Sequence, residues 1–167
     1  MVGSPKPHIV DASVLIDLEK GVVIRELFLL HHGWTAPDLV IVEVGESLGS
    51  LLTSHGLTVS ELQQEEIREV ERLRQIYKGL SITDLSCLVL AKSQNGTLIA
   101  GDQALRRAAE QEGLRVRGTL WILDEMVDSK IFLGDRAADA LDRMIQNRGR
   151  FPPEEISKRM KRWIGKT

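Results

Sequence analysis

The sequence predicts an α/β fold in which a central, mostly parallel sheet is covered on both faces by helices, a three-layer α/β/α sandwich. Three observations carry this expectation. Short apolar runs suited to buried strands alternate with stretches of helical periodicity. Two of those runs, Ile9-Val10 and Leu98-Ile99-Ala100, are apolar throughout, as parallel strands buried on both faces are. The 167 residues, 43% of them apolar, are enough for one compact core and leave little room for two.

Met1 to Pro7 carries Gly3, Pro5 and Pro7 and reads as a flexible lead-in. His8 to Asp11 is a short strand that ends on an acid. Ala12 to Lys20 sets Val14, Leu15 and Leu18 at helical spacing, and Gly21 stops it. Val22 to His31 repeats the pattern. Trp34 to Pro37 is a strand leading into Asp38, a helix-capping residue. One helix is expected from Asp38 to about Ser54. Val40, Ile41, Val42 and Val44 have strand propensity, but Leu48, Leu51 and Leu52 prolong the apolar face beyond the length of a strand.

Ser60 with Gln63 is expected to open the next helix as a capping box. That helix runs to about Tyr77, with Leu62, Ile67, Val70 and Leu73 inward. Ser81 to Ser93 is a further helix. Thr97 to Ala100 is a strand with Gly101-Asp102 at its exit. Gln103 to Glu112 is helical, and Leu114 to Val116 is a strand. Thr119 to Asp128, Asp135 to Asn147 and Pro153 to Trp163 close the chain as helices, Pro152 and Pro153 standing where a helix can start. Residues 8–130 are thus the expected principal domain, with helices of 131–167 packed on it or extending it.

Composition narrows the function. Lys plus Arg number 22 and Asp plus Glu number 24, a net charge of -2, so the sum does not mark a nucleic-acid binder. Position matters more: Phe151 to Thr167 holds five basic residues against Glu154 and Glu155, whereas Glu61 to Glu71 is acidic. Cys87 is the single cysteine, which excludes an internal disulfide and fits a reducing compartment. The lead-in has no apolar signal core, and no run approaches the roughly 18 apolar residues of a membrane helix. A cytoplasmic protein is expected.

In open parallel sheets the ligand site lies beyond the carboxyl ends of the strands. Two strands here exit into acids, Asp11 and Asp102. Asp84 lies in the first turn of its helix, where a carboxylate also complements the helix dipole. Glu43 is flanked by apolar residues, with Glu46 as the alternative at that place. Clustered carboxylates repel, and their pKa values rise unless a cation joins them. Mg²⁺ or Mn²⁺ takes such oxygen ligands and bridges to phosphate. One or two such ions would activate water for attack on a phosphodiester. His8, His31, His32 and His55 form no zinc pattern. A P-loop and a dinucleotide-binding glycine motif are both absent. A phosphoacceptor receiver would want an acidic pair at the first strand and a late lysine, and neither is present.

These residues resemble the PIN-domain family. His8-Ile-Val-Asp-Ala-Ser-Val-Leu-Ile-Asp17 is similar to its opening strand and turn, with Asp11 at the acid and Ser13 at the hydroxyl position. Pro37 to Val44 resembles the segment of the second acid, Glu43. Ile82-Thr83-Asp84 resembles that of the third, and Leu98 to Arg106 that of the fourth, Asp102. The likeness runs from about Pro7 to Met126, and Gly113 to Ile131 is similar to the tail of a VapC-like subgroup. Two features depart from the pattern. Ala100-Gly101-Asp102 stands where Thr-x-Asp is usual, and Gln103 stands where a fifth acid often follows.

The resemblance implies a PIN-like sandwich and an Mg²⁺- or Mn²⁺-dependent endoribonuclease. Asp11, Glu43, Asp84 and Asp102 would be ligands, with Glu43 either a ligand or a water-orienting base and Ser13 supporting Asp11. It further implies an RNA substrate, a homodimer and, in VapC-like members, a toxin restrained by an antitoxin protein. Arg106 and Arg107, with Arg115 and Arg117, are candidates for phosphate contact, against the plainer reading of ordinary surface charge. The alternative is a catalytically degenerate PIN-fold binding module in an RNA-processing or ribosome-associated complex.

Overall fold

The computed structural model describes residues 6–165, so most of the expected lead-in lies outside the described residues. The described chain divides into two compact units. The first runs to Val14 and resumes over His31–Gly118; the second comprises Leu15–Leu30 and the chain from Thr119.

The first unit is built on five parallel strands: β1 (His8–Val10), β2 (Trp34–Pro37), β3 (Thr58–Ser60), β4 (Thr97–Ile99) and β5 (Arg115–Arg117). Their order is β3-β2-β1-β4-β5. The fold class is the expected one, α/β with a central parallel sheet of the PIN-like sandwich type. The chain moves outward from β1 to β2 and β3, then crosses back to place β4 on the other side of β1. That reversal between β1 and β4 is a topological switch point, where parallel sheets open a crevice at their carboxyl edge. β1 and β4 are the apolar strands of the sequence; Ile9, Val10, Leu98 and Ile99 are all fully buried.

Five helices accompany this sheet: α2 (Asp38–Val44), α3 (Glu46–Ser54), α4 (Gln64–Ile76), α5 (Ile82–Ser93) and α6 (Gln103–Gln111). Helix α5 packs on β1, β2 and β4, α4 packs on α5, and α6 packs on β5. The burial of α5 follows from its sequence: Leu85 through Ala91 is a continuous buried run. α1 (Ala12–Lys20) leaves β1 and carries the chain from the first unit into the second.

The second unit holds the rest of α1, a 3₁₀ turn over Arg25–Leu29, and α7 (Thr119–Asp128), α8 (Gly134–Gln146) and α9 (Pro153–Ile164). Asp124 of α7 ties α9 to it, accepting from Trp163 Nε1 at 2.9 Å and from Arg159 Nε at 3.0 Å. Gly134 starts α8 against α9 so tightly that a Cβ there would lie 2.1 Å from the Trp163 carbonyl oxygen.

Three sequence expectations are corrected. The single helix from Asp38 to Ser54 is two helices, because Gly45 adopts φ +94°, a backbone state open to glycine, and breaks it. Ser60 ends a strand and caps no helix; the capping contact comes one turn later, where Gln63 N–H donates to Glu66 Oε1 at 2.8 Å. Ile67 stays 52% exposed, so Val70 and Leu73 form the inward face of α4.

Candidate functional site

Asp11 stands at the exit of β1. Its N–H still donates to the Ile99 carbonyl at 3.0 Å, which fixes the residue in the sheet ladder. Its Oδ1 accepts from Val14 N–H at 3.0 Å and from Ser13 Oγ at 2.9 Å, so Asp11 also caps α1. The result is a carboxylate only 4% exposed. Burial pushes its pKa up to about 6, and the charge of Asp84 pushes the same way. The Val14 N–H, the Ser13 hydroxyl and the Gly101 N–H oppose the rise. A Cβ on Gly101 would lie 3.2 Å from Ser13 Oγ, so the exit of β4 adjoins the Asp11–Ser13 turn.

Asp84 occupies the first turn of α5. Its Oδ2 accepts from Ser81 N–H at 3.1 Å, and its own N–H donates to Ser81 Oγ at 3.0 Å. The helix-capping explanation therefore applies, and it is compatible with a second role. Glu43 lies near the end of α2 and is exposed, as is Glu46. The break at Gly45 puts these two acids on different helices. Asp102 is exposed and caps α6, accepting from Leu105 N–H at 3.0 Å.

Cys87, three residues after Asp84 on α5, shows which acids share a neighbourhood. Burial raises its thiol well above the ordinary range, and the charges of Asp11, Asp84 and Glu43 raise it further. Those three carboxylates are therefore near enough for their charges to act on one wholly buried thiol. Glu46 and Asp102 are not among the charges acting on it. Asp102 reaches the group only through its neighbour Gly101, whose N–H faces Asp11. Composition had shown Cys87 only as a lone cysteine. A small apolar residue in Leu85-Ser86-Cys87-Leu88 carries no signal that the charges of three acids will act on it.

Among the described residues, no Lys, Arg or His forms an ion pair with Asp11, Glu43, Asp84 or Asp102. Also among the described residues, no three His, Cys, Asp or Glu side chains converge closely enough to hold a metal ion. The donor set fits a hard divalent cation in kind: oxygen ligands only, one of them buried and short of positive charge. As placed, the acids share one neighbourhood without forming a closed coordination sphere.

Two of the expected phosphate-contacting arginines flank this edge. Arg106 Nη1 donates to the Ala100 carbonyl at 2.9 Å. Arg107 is exposed and donates to the Gln103 carbonyl of its own helix at 3.4 Å. Asp17, at the end of the opening motif, has its pKa raised to about 6 by burial, opposed by Lys20.

The family model described as PIN domain matches residues 7–164. No curated protein matches the chain.

Proposed function

Because the chain belongs to the PIN-domain family, we propose that it is a divalent-metal-dependent endoribonuclease that hydrolyses RNA phosphodiester bonds, acting as the toxin of a VapBC-type pair. The observation that carries the reading is Asp11. It is a buried carboxylate at the switch point of a parallel sheet, with the charge of Asp84 acting on it and, among the described residues, no cationic side chain paired with it. A carboxylate in that state gains most from a cation.

Asp11, Asp84 and Glu43 would hold Mg²⁺ or Mn²⁺, with Asp102 contributing from the exit of β4. Glu43 is favoured over Glu46 because only Glu43 acts on Cys87. When bound, the ion supplies activation of water and neutralises charge on the phosphodiester. The chain's own part is positional. Ser13 Oγ and Val14 N–H fix the Asp11 carboxylate in one orientation before any ion binds. Glu43, exposed at the rim, is available to orient water or accept its proton. Arg106 and Arg107 are available to RNA phosphates. A homodimer and a restraining antitoxin belong to this proposal. Among the described residues no helix is long and apolar enough to cross a membrane, in keeping with action in the cytoplasm.

The test is cleavage of single-stranded RNA by the full chain with Mn²⁺ and with EDTA. Cleavage that requires Mn²⁺ and disappears in Asp11→Asn supports the proposal; cleavage that persists in EDTA overturns it. A second reading, a binding module that has lost catalysis, is favoured by one observation: no three ligands converge among the described residues. It predicts RNA binding without cleavage under any metal.

A further inference from the structure

The acid cluster has two unlike flanks within the first unit. On the side of β2, residues 37–54 contain Asp38, Glu43 and Glu46 and neither Lys nor Arg. On the side of β4, residues 103–118 contain Arg106, Arg107, Arg115 and Arg117 against Glu110 and Glu112. Glu112 is already engaged, accepting from Lys92 Nζ at 2.9 Å and from Tyr77 Oη at 2.7 Å. Among the described residues none of the four guanidinium groups takes part in an ion pair.

The other basic stretch is different. In α9 Lys158 pairs with Glu155, Arg159 with Asp124 and Arg162 with Asp128. The positive charge that the sequence concentrates at Phe151 to Thr167 is therefore largely matched by acids of the same unit. Beside the acidic edge, the guanidinium groups of β5 and α6 are in no such pair among the described residues.

Register fixes where it lies. Arg117 aligns with Ile99, and Ile99 with Val10. At the usual strand spacing, Arg117 stands about 10 Å across the sheet from the residue that precedes Asp11. Arg115 and Arg117 are both exposed on either side of buried Val116, on the outermost strand. Arg106 closes the same edge: a Cβ on Gly118 would lie 2.6 Å from its Nη1, so the glycine gives the guanidinium its room. A strand edge bearing arginines is also protected against pairing with another strand. That protection would not require Arg106 to lie beside it.

We propose that Arg115 and Arg117, with Arg106 and Arg107, form the track on which the phosphate backbone of single-stranded RNA lies as it enters the acidic edge from the β5 side. This rests on the nuclease reading and adds its polarity: backbone held on the β5 flank, scissile phosphate at Asp11. Phosphate contacts of this kind position the strand and carry no sequence information.

The experiment measures binding of a fluorescein-labelled single-stranded oligouridylate to the full chain in EDTA, by anisotropy over a range of salt. Arg115→Glu with Arg117→Glu should weaken binding at least about tenfold, and lower the slope of log K against log salt by about 1.4 for two lost phosphate contacts. Arg68→Glu with Lys78→Glu, the same charge change on and just beyond α4, should stay within about threefold of wild type. Arg115→Gln with Arg117→Gln, which keeps the strand neutral, should show an intermediate loss, and thermal melting shows that each variant is folded. With Mn²⁺, the glutamate pair should raise KM and leave kcat in place.

Loss of cleavage in wild type with arginine-dependent RNA binding intact removes the nuclease reading and leaves the track standing. Equal RNA affinity in the glutamate pair and wild type overturns the track, whether or not the protein cleaves. Binding of poly-glutamate through these arginines with RNA left unbound also overturns it, in favour of an acidic protein.

Discussion

The first unit treats its carboxylates in two opposite ways. Where α4, α5 and α6 meet, Glu69 accepts from Arg72 at 2.6 Å and from Lys92 at 3.2 Å, and Glu112 shares the same lysine. The Arg72 hydrogen bond, with help from Lys92, holds Glu69 down to about 2, and Lys92 likewise lowers Glu112. At the carboxyl edge, among the described residues, Asp11 has only neutral donors and the charge of Asp84 acting on it, and burial raises it to about 6. One cluster has its cations built in; the other is short of them. A charge left uncompensated inside a protein is costly, so a site that retains one is a candidate for a bound cation.

The largest expected effect comes from removing the uncompensated charge. Asp11→Asn keeps a capping oxygen for Val14, so the fold should survive and its urea midpoint should equal or exceed wild type. RNA cleavage with Mn²⁺ should fall by about a thousandfold, the order a preorganised charge contributes. A variant that loses stability as well as activity would mean that Asp11 is structural.

Removing a built-in cation should do the reverse. Lys92→Met leaves Glu69 and Glu112 short of a partner and should cost about 1–2 kcal/mol in urea denaturation, the scale of a charge-assisted hydrogen bond at a half-buried site. Cleavage should be little changed. If Lys92→Met abolishes cleavage at unchanged stability, the two clusters are not separate in function.

The clusters should also respond oppositely to pH. Asp11 is raised when folded, so its contribution is fully present below the unfolded pKa near 4 and is lost as pH rises through about 6. Glu69 is lowered when folded, so its contribution is present above about 4.5 and is lost as pH falls toward 2. In EDTA, Asp11→Asn should therefore gain stability relative to wild type between pH 4.5 and about 7. Lys92→Met should approach wild type below about pH 4. Urea midpoints of the three proteins across this range check both directions.

The smallest effect is expected from Ser13→Ala, which removes one neutral donor from Asp11 Oδ1. It should cost about 0.5–1.5 kcal/mol, raise Asp11 further, and reduce cleavage less than Asp11→Asn does. A loss as large as that of Asp11→Asn would give the hydroxyl a direct part in the chemistry.

Much of this was legible in the sequence. β1 and β4 announce themselves as apolar runs, and each exits into an acid. The closing helices α7, α8 and α9 follow from clean periodicity and from Pro152 and Pro153. β3 left little trace because Thr58-Val59-Ser60 is a three-residue edge strand with no buried residue, and Ser60 mimics a helix cap. The break at Gly45 was hidden because a glycine inside an apolar stretch shows no backbone angle. At the site, the acids could be read from strand exits and helix starts. Their unequal burial could not: Asp11 and Asp102 leave adjacent strands and both cap helices, yet one is enclosed and the other exposed. That difference belongs to tertiary packing, which the local pattern of strand exit and helix cap does not carry.

The most direct test is calorimetric titration of Mn²⁺ into the full chain near pH 6, repeated in buffers of different ionisation enthalpy, beside Asp11→Asn. A cation-deficient site predicts saturable heat that includes release of a proton, with both absent from the variant. Wild-type protein that gives no heat, or gives the same heat and no proton release as Asp11→Asn, would contradict it.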